Sequence, residues 1–151
     1  MDLEALLTDE LREEVAAYQL EWFDVEASSR RPPHATVGVR TPEGDEVTGS
    51  FTGDGPVDAI FRAINAATSV DARLREFRVD AVTGGQDALG ETSVVLEVGN
   101  VGGSGQGVST DILEAAGRAY VRALSNAVRR QGIAAEAEAA TAAAAEPVRA
   151  P

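Results

Sequence analysis

Apolar residues recur along this chain with two alternating periods. Over residues 1–17, Leu3, Leu6, Leu7, Leu11 and Val15 fall near helical spacing with carboxylates between them, which predicts a short amphipathic helix with a solvated acidic face. The period then shortens towards two. Residues 20–27 alternate loosely, as a half-buried strand does, and residues 28–33 form a polar, proline-containing break. Ala35, Val37 and Val39 alternate with Thr36, Gly38 and Arg40 as a second strand. Residues 41–45 predict a turn, and residues 46–52 a third, weaker strand. Gly53-Asp54-Gly55-Pro56 then opens a helix, because proline suits the first turn, where its missing N–H would be unpaired anyway. Val57, Ile60, Phe61 and Ile64 are its apolar stripe, which fades near Thr68.

The same order repeats. Phe77, Val79 and Ala81 alternate with polar neighbours as a strand, residues 83–87 read as a turn, and residues 91–98 as a strong strand. A glycine-rich stretch, 102–107, leads into a second helix over about 110–130, with Ile112, Ala116, Ala119, Tyr120, Ala123 and Ala127 as its stripe. Laying Gly53 over Gly105, a spacing of 52, puts Ile60 on Ile112, Ala63 on Ala115 and Ala67 on Ala119. Two βββα units predict an α+β domain of two-fold pseudo-symmetry, with helices packed on antiparallel sheet. The units span about 18–70 and 71–131, after an N-terminal helix or linker over 1–17. In residues 132–151, ten of the twenty are Ala, which gives a frayed helix or a disordered tail.

The length, 151 residues, suits one domain, and a hydrophobic share of 44% suffices for a core. All 13 basic residues are Arg, and Cys is absent. These two facts exclude a P-loop lysine, Schiff-base chemistry, a thiol nucleophile and cysteine-ligated zinc. A net charge of −12 disfavours nucleic acid and anionic membrane as partners. With no basic, apolar leader and no run near the ~20 apolar residues of a membrane helix, the expectation is a soluble, cytoplasmic protein. His34 is the only histidine, and a triad drawn from Ser28, His34 and Asp24 has nothing to support it. No metal-ligand spacing occurs. No catalytic residue, metal or cofactor is therefore expected.

The two Gly-x-Gly-to-helix junctions carry the most information. Glycine allows close backbone approach, and a helix N-terminus offers unpaired N–H groups to an anion. The plainer reading is a tight turn with Asp54 or Ser109 as cap. The spacing is not that of a dinucleotide fingerprint. A small carboxylate ligand suits such a junction, and an amino acid fits best. Its side chain would lie against Val57, Leu74 or Phe77, and its ammonium on Asp54, Asp58 or Asp80.

Several motifs then stand in order: 53–59 (Gly-Asp-Gly-Pro-Val-Asp-Ala), 77–85 (Phe-Arg-Val-Asp-Ala-Val-Thr-Gly-Gly), 105–112 (Gly-Gln-Gly-Val-Ser-Thr-Asp-Ile), Arg118-Ala119-Tyr120 and 123–126 (Ala-Leu-Ser-Asn). Over about residues 18–130 the chain resembles the C-terminal regulatory domain of 2-isopropylmalate synthases, shared with citramalate synthases. The resemblance implies two βββα units, a homodimer, and binding of an end-product amino acid, leucine or isoleucine, that inhibits a distant catalytic barrel. It implies ligand contacts at Gly53, Asp54, Gly55, Pro56, Val57 and Asp58 and along the next strand at Leu74, Glu76, Phe77 and Asp80. Gly105, Gly107 and Ser109 stand at the symmetry-related junction. Glu76 occupies a place where relatives carry a ring near the ligand. The barrel, with its metal-binding His-x-His motif and acetyl-CoA site, is not in this chain. The expectation is a non-catalytic leucine-sensing domain, free-standing or part of a larger enzyme, acting on a catalytic synthase partner. A dimerisation scaffold without ligand, an isoleucine sensor and a small enzyme are the alternatives.

Overall fold

The computed structural model describes residues 17–82 and 89–145. Residues 1–16 of the predicted helix over 1–17, and the turn over 83–87, lie outside the described residues. Strands β1 (Gln19–Glu26), β2 (His34–Arg40) and β3 (Glu46–Thr52) form one antiparallel sheet in that order, followed by helix α1 (Pro56–Thr68). Strands β4 (Ala72–Val82), β5 (Leu89–Val98) and β6 (Val101–Ser109) form a second, followed by helix α2 (Ile112–Ala145). This is the predicted α+β architecture of two βββα units.

The pseudo-symmetry extends to irregularities. β1 carries a bulge between Leu20 and Trp22, and β4 carries one between Leu74 and Glu76. Phe23 pairs with Val37 in the first sheet, as Phe77 pairs with Val94 in the second.

The register of the repeat differs from the one predicted. In the structure Gly49 lies beneath Ala63 and Ala67 of α1, and Gly105 beneath Ala119 and Ala123 of α2. Equivalent helix and third-strand positions are thus 56 residues apart. The spacing of 52 aligned a loop glycine with a strand glycine. Stretch 102–107 is strand, not a junction loop: β6 turns straight back from β5 through Gly99 and Asn100, with Gly99 at φ +61°. That two-residue connection, led by glycine, is a hairpin signal the alternation pattern alone does not reveal.

Each helix lies on the second and third strands of its own sheet and reaches the first strand of the other. Leu20 of β1 packs against Gly117 of α2, and Phe77 of β4 meets Phe61 of α1 edge-on at 5.8 Å. The Tyr18 amide donates to Ser125 Oγ (3.0 Å), and the Asn65 side-chain amide donates to the Ala72 carbonyl (2.8 Å). Between the helices, Tyr120 stacks on Phe61 at 4.3 Å and donates its hydroxyl to Asn65 Oδ1 at 2.7 Å. The core is one cluster spanning both units, from Ala35, Val37 and Val39 through Ile60 and Ile64 to Val94, Leu96 and Leu124. Neither unit encloses it alone.

Of the two readings of residues 132–151, helix or disordered tail, the described part is helix. α2 runs unbroken to Ala145, and residues 131–141 are exposed on every side.

Candidate functional site

At the entrance to α1 the chain is shaped by close packing. The Gly53 amide donates to the Pro33 carbonyl (3.0 Å), and a Cβ on Gly53 would run into Ala59 and the Asp58 carboxylate. Asp58, in the first helical turn, accepts the Asp54 amide (2.9 Å) and Arg62 Nε (2.9 Å) on the same oxygen. Acid in a first turn also favours the helix dipole. Gly55 is the N-cap and makes no side-chain cap, and Pro56 follows it. Asp54, one of the two predicted caps, therefore does not cap. Among the described residues the positive end of α1 carries no side-chain acceptor beyond the Asp58 carboxylate turned back on Asp54.

Beside it runs β4. Its residues opposite buried positions of β5 are Ala72, Leu74, Phe77, Val79 and Ala81, which share the face towards the helices. Ala72 is buried and Phe77 half-buried against Phe61, but Leu74 and Val79 are each 45% exposed. The strip meets α1 through Phe77 at Phe61 and through the Ala72 carbonyl at Asn65. Glu76 and Asp80 pair with Val95 and Glu91 and project from the opposite face of the sheet. The structure thus sets Phe77 against Phe61 of α1, puts Leu74 on the same face of β4 as Phe77, and puts Glu76 and Asp80 on the opposite face. Val79 and Phe61 belong to the same surface. Alternation with Phe77 already put Val79 on it, whereas Phe61 needed the tertiary fold.

The second helix entrance is built differently. Asp111 Oδ1 accepts the Leu113 amide (3.0 Å) and caps α2. Ser109 Oγ accepts the Asp111 amide (3.1 Å) and donates to Glu114 (3.2 Å), so Ser109, the other predicted cap, holds the turn instead. Gly105 and Gly107 lie within β6, beneath the α2 backbone. A Cβ on Gly105 would fall on the Ala119 carbonyl and the Ala123 amide, and one on Gly107 on the Ala115 carbonyl. Those glycines let helix and strand touch, and the space over them is filled by the helix.

A cavity of about 660 Å³ lies at neither entrance. It opens along the outer edge of β6, between Ser104 and Gln106 on the strand and Arg122 and Asn126 on α2. A second, about 490 Å³, is lined by Arg31, His34 and Thr52. There His34 Nδ1 lies 2.9 Å from Thr52 Oγ1, a cross-strand pair at the open end of the first sheet. No helix among the described residues is long and apolar enough to cross a membrane.

Comparison with known proteins agrees with this architecture. Residues 1–128 match the family model of the LeuA allosteric (dimerisation) domain. A 2-isopropylmalate synthase of Carboxydothermus hydrogenoformans is 44% identical over 126 residues, which is 82% of this chain and 24% of that protein. The 2-isopropylmalate synthase of Nostoc sp. is 42% identical over 124 residues, 82% of this chain and 23% of its own length. That of Thermosynechococcus vestitus is 43% identical over 129 residues, 85% and 24%. The chain spans about a quarter of the length of these curated relatives. With the family model covering most of the sequence and the βββα repeat in place, this chain belongs to the LeuA allosteric (dimerisation) domain family.

Proposed function

We propose that the chain is an amino-acid-sensing regulatory domain that binds a branched-chain amino acid, leucine by preference, and works as a homodimer. The observation that carries this is the exposure of Leu74 and Val79 on either side of Phe77, which itself packs on Phe61 of α1, in a unit whose helix starts without a side-chain cap. An amino acid has a carboxylate for the helix N-terminus, an ammonium for Asp54 or Asp58, and an aliphatic side chain for the strip. Asp58 keeps Asp54 and Arg62 in place, so it shapes the entrance as well as supplying charge. Glu76, Asp80, Gly105, Gly107 and Ser109 stand outside this site.

The strip also suits a second copy of the chain, which would bury it and close the site from the open side. Effector binding regulates a synthase only if the ligand has different affinity for two states of the assembly. The condensing activity of the relatives would reside in a catalytic region, on the same polypeptide or on a partner.

Calorimetric titration with leucine, isoleucine and valine tests the reading. Saturable binding, tightest for leucine, is expected. The double variant Asp54→Ala/Asp58→Ala should lose affinity and keep the dimer. A flat trace for all three ligands from the folded parent chain contradicts sensing by this chain and leaves dimerisation alone.

A further inference from the structure

Residues 1–16 join the described structure at a cavity wall. Ala17 lines the cavity of about 660 Å³ together with Arg122, Ser125 and Asn126 of α2, and the Tyr18 amide is fixed to Ser125 Oγ at 3.0 Å. The face of α2 beside the cavity is open and basic. Arg122, Asn126 and Ile133 share it by their helical spacing, with Arg130 next to Asn126. Arg122 donates to the Gln106 carbonyl (3.0 Å) and Arg130 to the Gly102 carbonyl (3.3 Å). Among the described residues neither has a carboxylate partner, in a chain of 25 acidic residues. Ile133 is 59% exposed, more than any other large apolar side chain among the described residues. This face therefore presents two unneutralised cations and an uncovered apolar side chain together.

The sequence of residues 1–16 complements that surface. Leu3, Leu6, Leu7, Leu11 and Val15 fall near helical spacing, and six carboxylates stand among them against one Arg, Arg12. A helix of that length would span about 24 Å, and α2 rises only about 12 Å from Ser125 to Ile133, so the segment can run back along α2 past Ile133. Such a helix alone in water is marginal and needs a surface for its leucines. Its attachment at Ala17 gives it a high effective concentration over this face, ahead of any free partner.

We propose that residues 1–16 of the same chain dock, leucine side inward, on the α2 face of Arg122, Arg130 and Ile133 and close the cavity over Asn126. Their carboxylates neutralise the two Arg. This surface lies apart from the α1 entrance and does not depend on effector binding.

Amide hydrogen exchange of the full chain, followed by NMR, tests this. Amides of residues 3–15 should be protected. Arg122→Glu/Arg130→Glu should abolish that protection and leave the β5 amides as protected as in the parent. Leu7→Asp/Leu11→Asp changes nothing on α2. It should abolish the protection too and speed exchange around Ile133, and it decides the matter should the first variant disturb α2 by circular dichroism. Free exchange over residues 3–15 in the folded parent overturns the proposal. So does protection that survives the charge reversal with α2 intact, or exchange around Ile133 that the leucine variant leaves unchanged. Protection that falls on dilution, in step with the mass by light scattering, assigns the segment to a second copy and overturns it as well.

Discussion

The two helix entrances occupy equivalent places in a repeat and are finished differently. α2 starts on a side-chain cap from Asp111, buttressed by Ser109 and Glu114, and lies along a strand of alternating glycines. α1 starts on Gly55 with no side-chain cap, and the β4 strand beside it shows Leu74 and Val79 to solvent. The first strands differ in the same sense. Leu20, Phe23 and Val25 of β1 are half-buried, Leu20 against Gly117 of α2, whereas β4 meets α1 at Ala72 and Phe77 and leaves Leu74 and Val79 exposed. One copy of the repeat thus completes its hydrogen bonds and its packing. Among the described residues the other has a helix start without a side-chain cap and apolar side chains open to solvent, which a ligand or a second subunit can satisfy.

The largest effect should come from breaking a close helix–strand contact. Gly105→Ala forces a Cβ into the α2 backbone and should cost about 3 kcal/mol or more by urea denaturation. Gly55→Ala meets nothing within 4 Å at an extended φ of −144° and should stay within about 0.5 kcal/mol. Equal costs would erase the distinction between a packed and an open glycine.

A second effect lies where the units join. Tyr120 is 1% exposed, and burial, with Asp71 and Asp58 nearby, pushes its hydroxyl up to about 12. The folded state therefore holds this proton more tightly than the unfolded one. The stabilisation is complete below pH 10 and is lost as pH rises from 10 towards 12, on the order of 2 kcal/mol. Tyr120→Phe should flatten that alkaline limb in denaturation series and cost about 1 kcal/mol at neutral pH through the bond to Asn65. An unchanged alkaline limb would detach Tyr120 from the joint.

The caps should give the smallest effect. Asp111→Ala should destabilise by about 1 kcal/mol, whereas Asp54→Ala, whose side chain caps nothing, should leave thermal stability near the parent's. The reverse order would contradict the assignment of finished and unfinished entrances.

Much of this fold is legible locally. β3 and α1 fall where alternation, the proline at the first turn and the apolar stripe place them. The strand β6 is harder, because four of its nine residues are glycine and glycine alternation carries no polarity. Its glycines read as a loop, and their cause, an alanine-lined helix pressed onto them, is 8 to 24 residues away in sequence. That is why the repeat was aligned by 52 rather than 56. Within the candidate site, Gly53–Asp58 was legible as a motif and Phe77 as a strand position. Alternation with Phe77 already sets Glu76 and Asp80 on the other face, but that Leu74 shares the face of Phe77 is not legible, because the β4 bulge after Leu74 shifts the register.

The most direct measurement is an NMR titration of the isotopically labelled chain with leucine, followed residue by residue. The account predicts amide shifts confined to Gly53–Asp58 and to β4 around Leu74–Val79, with the Gly105–Asp111 amides unmoved. Shifts centred on Gly105–Asp111, or none anywhere in a folded chain, would contradict it.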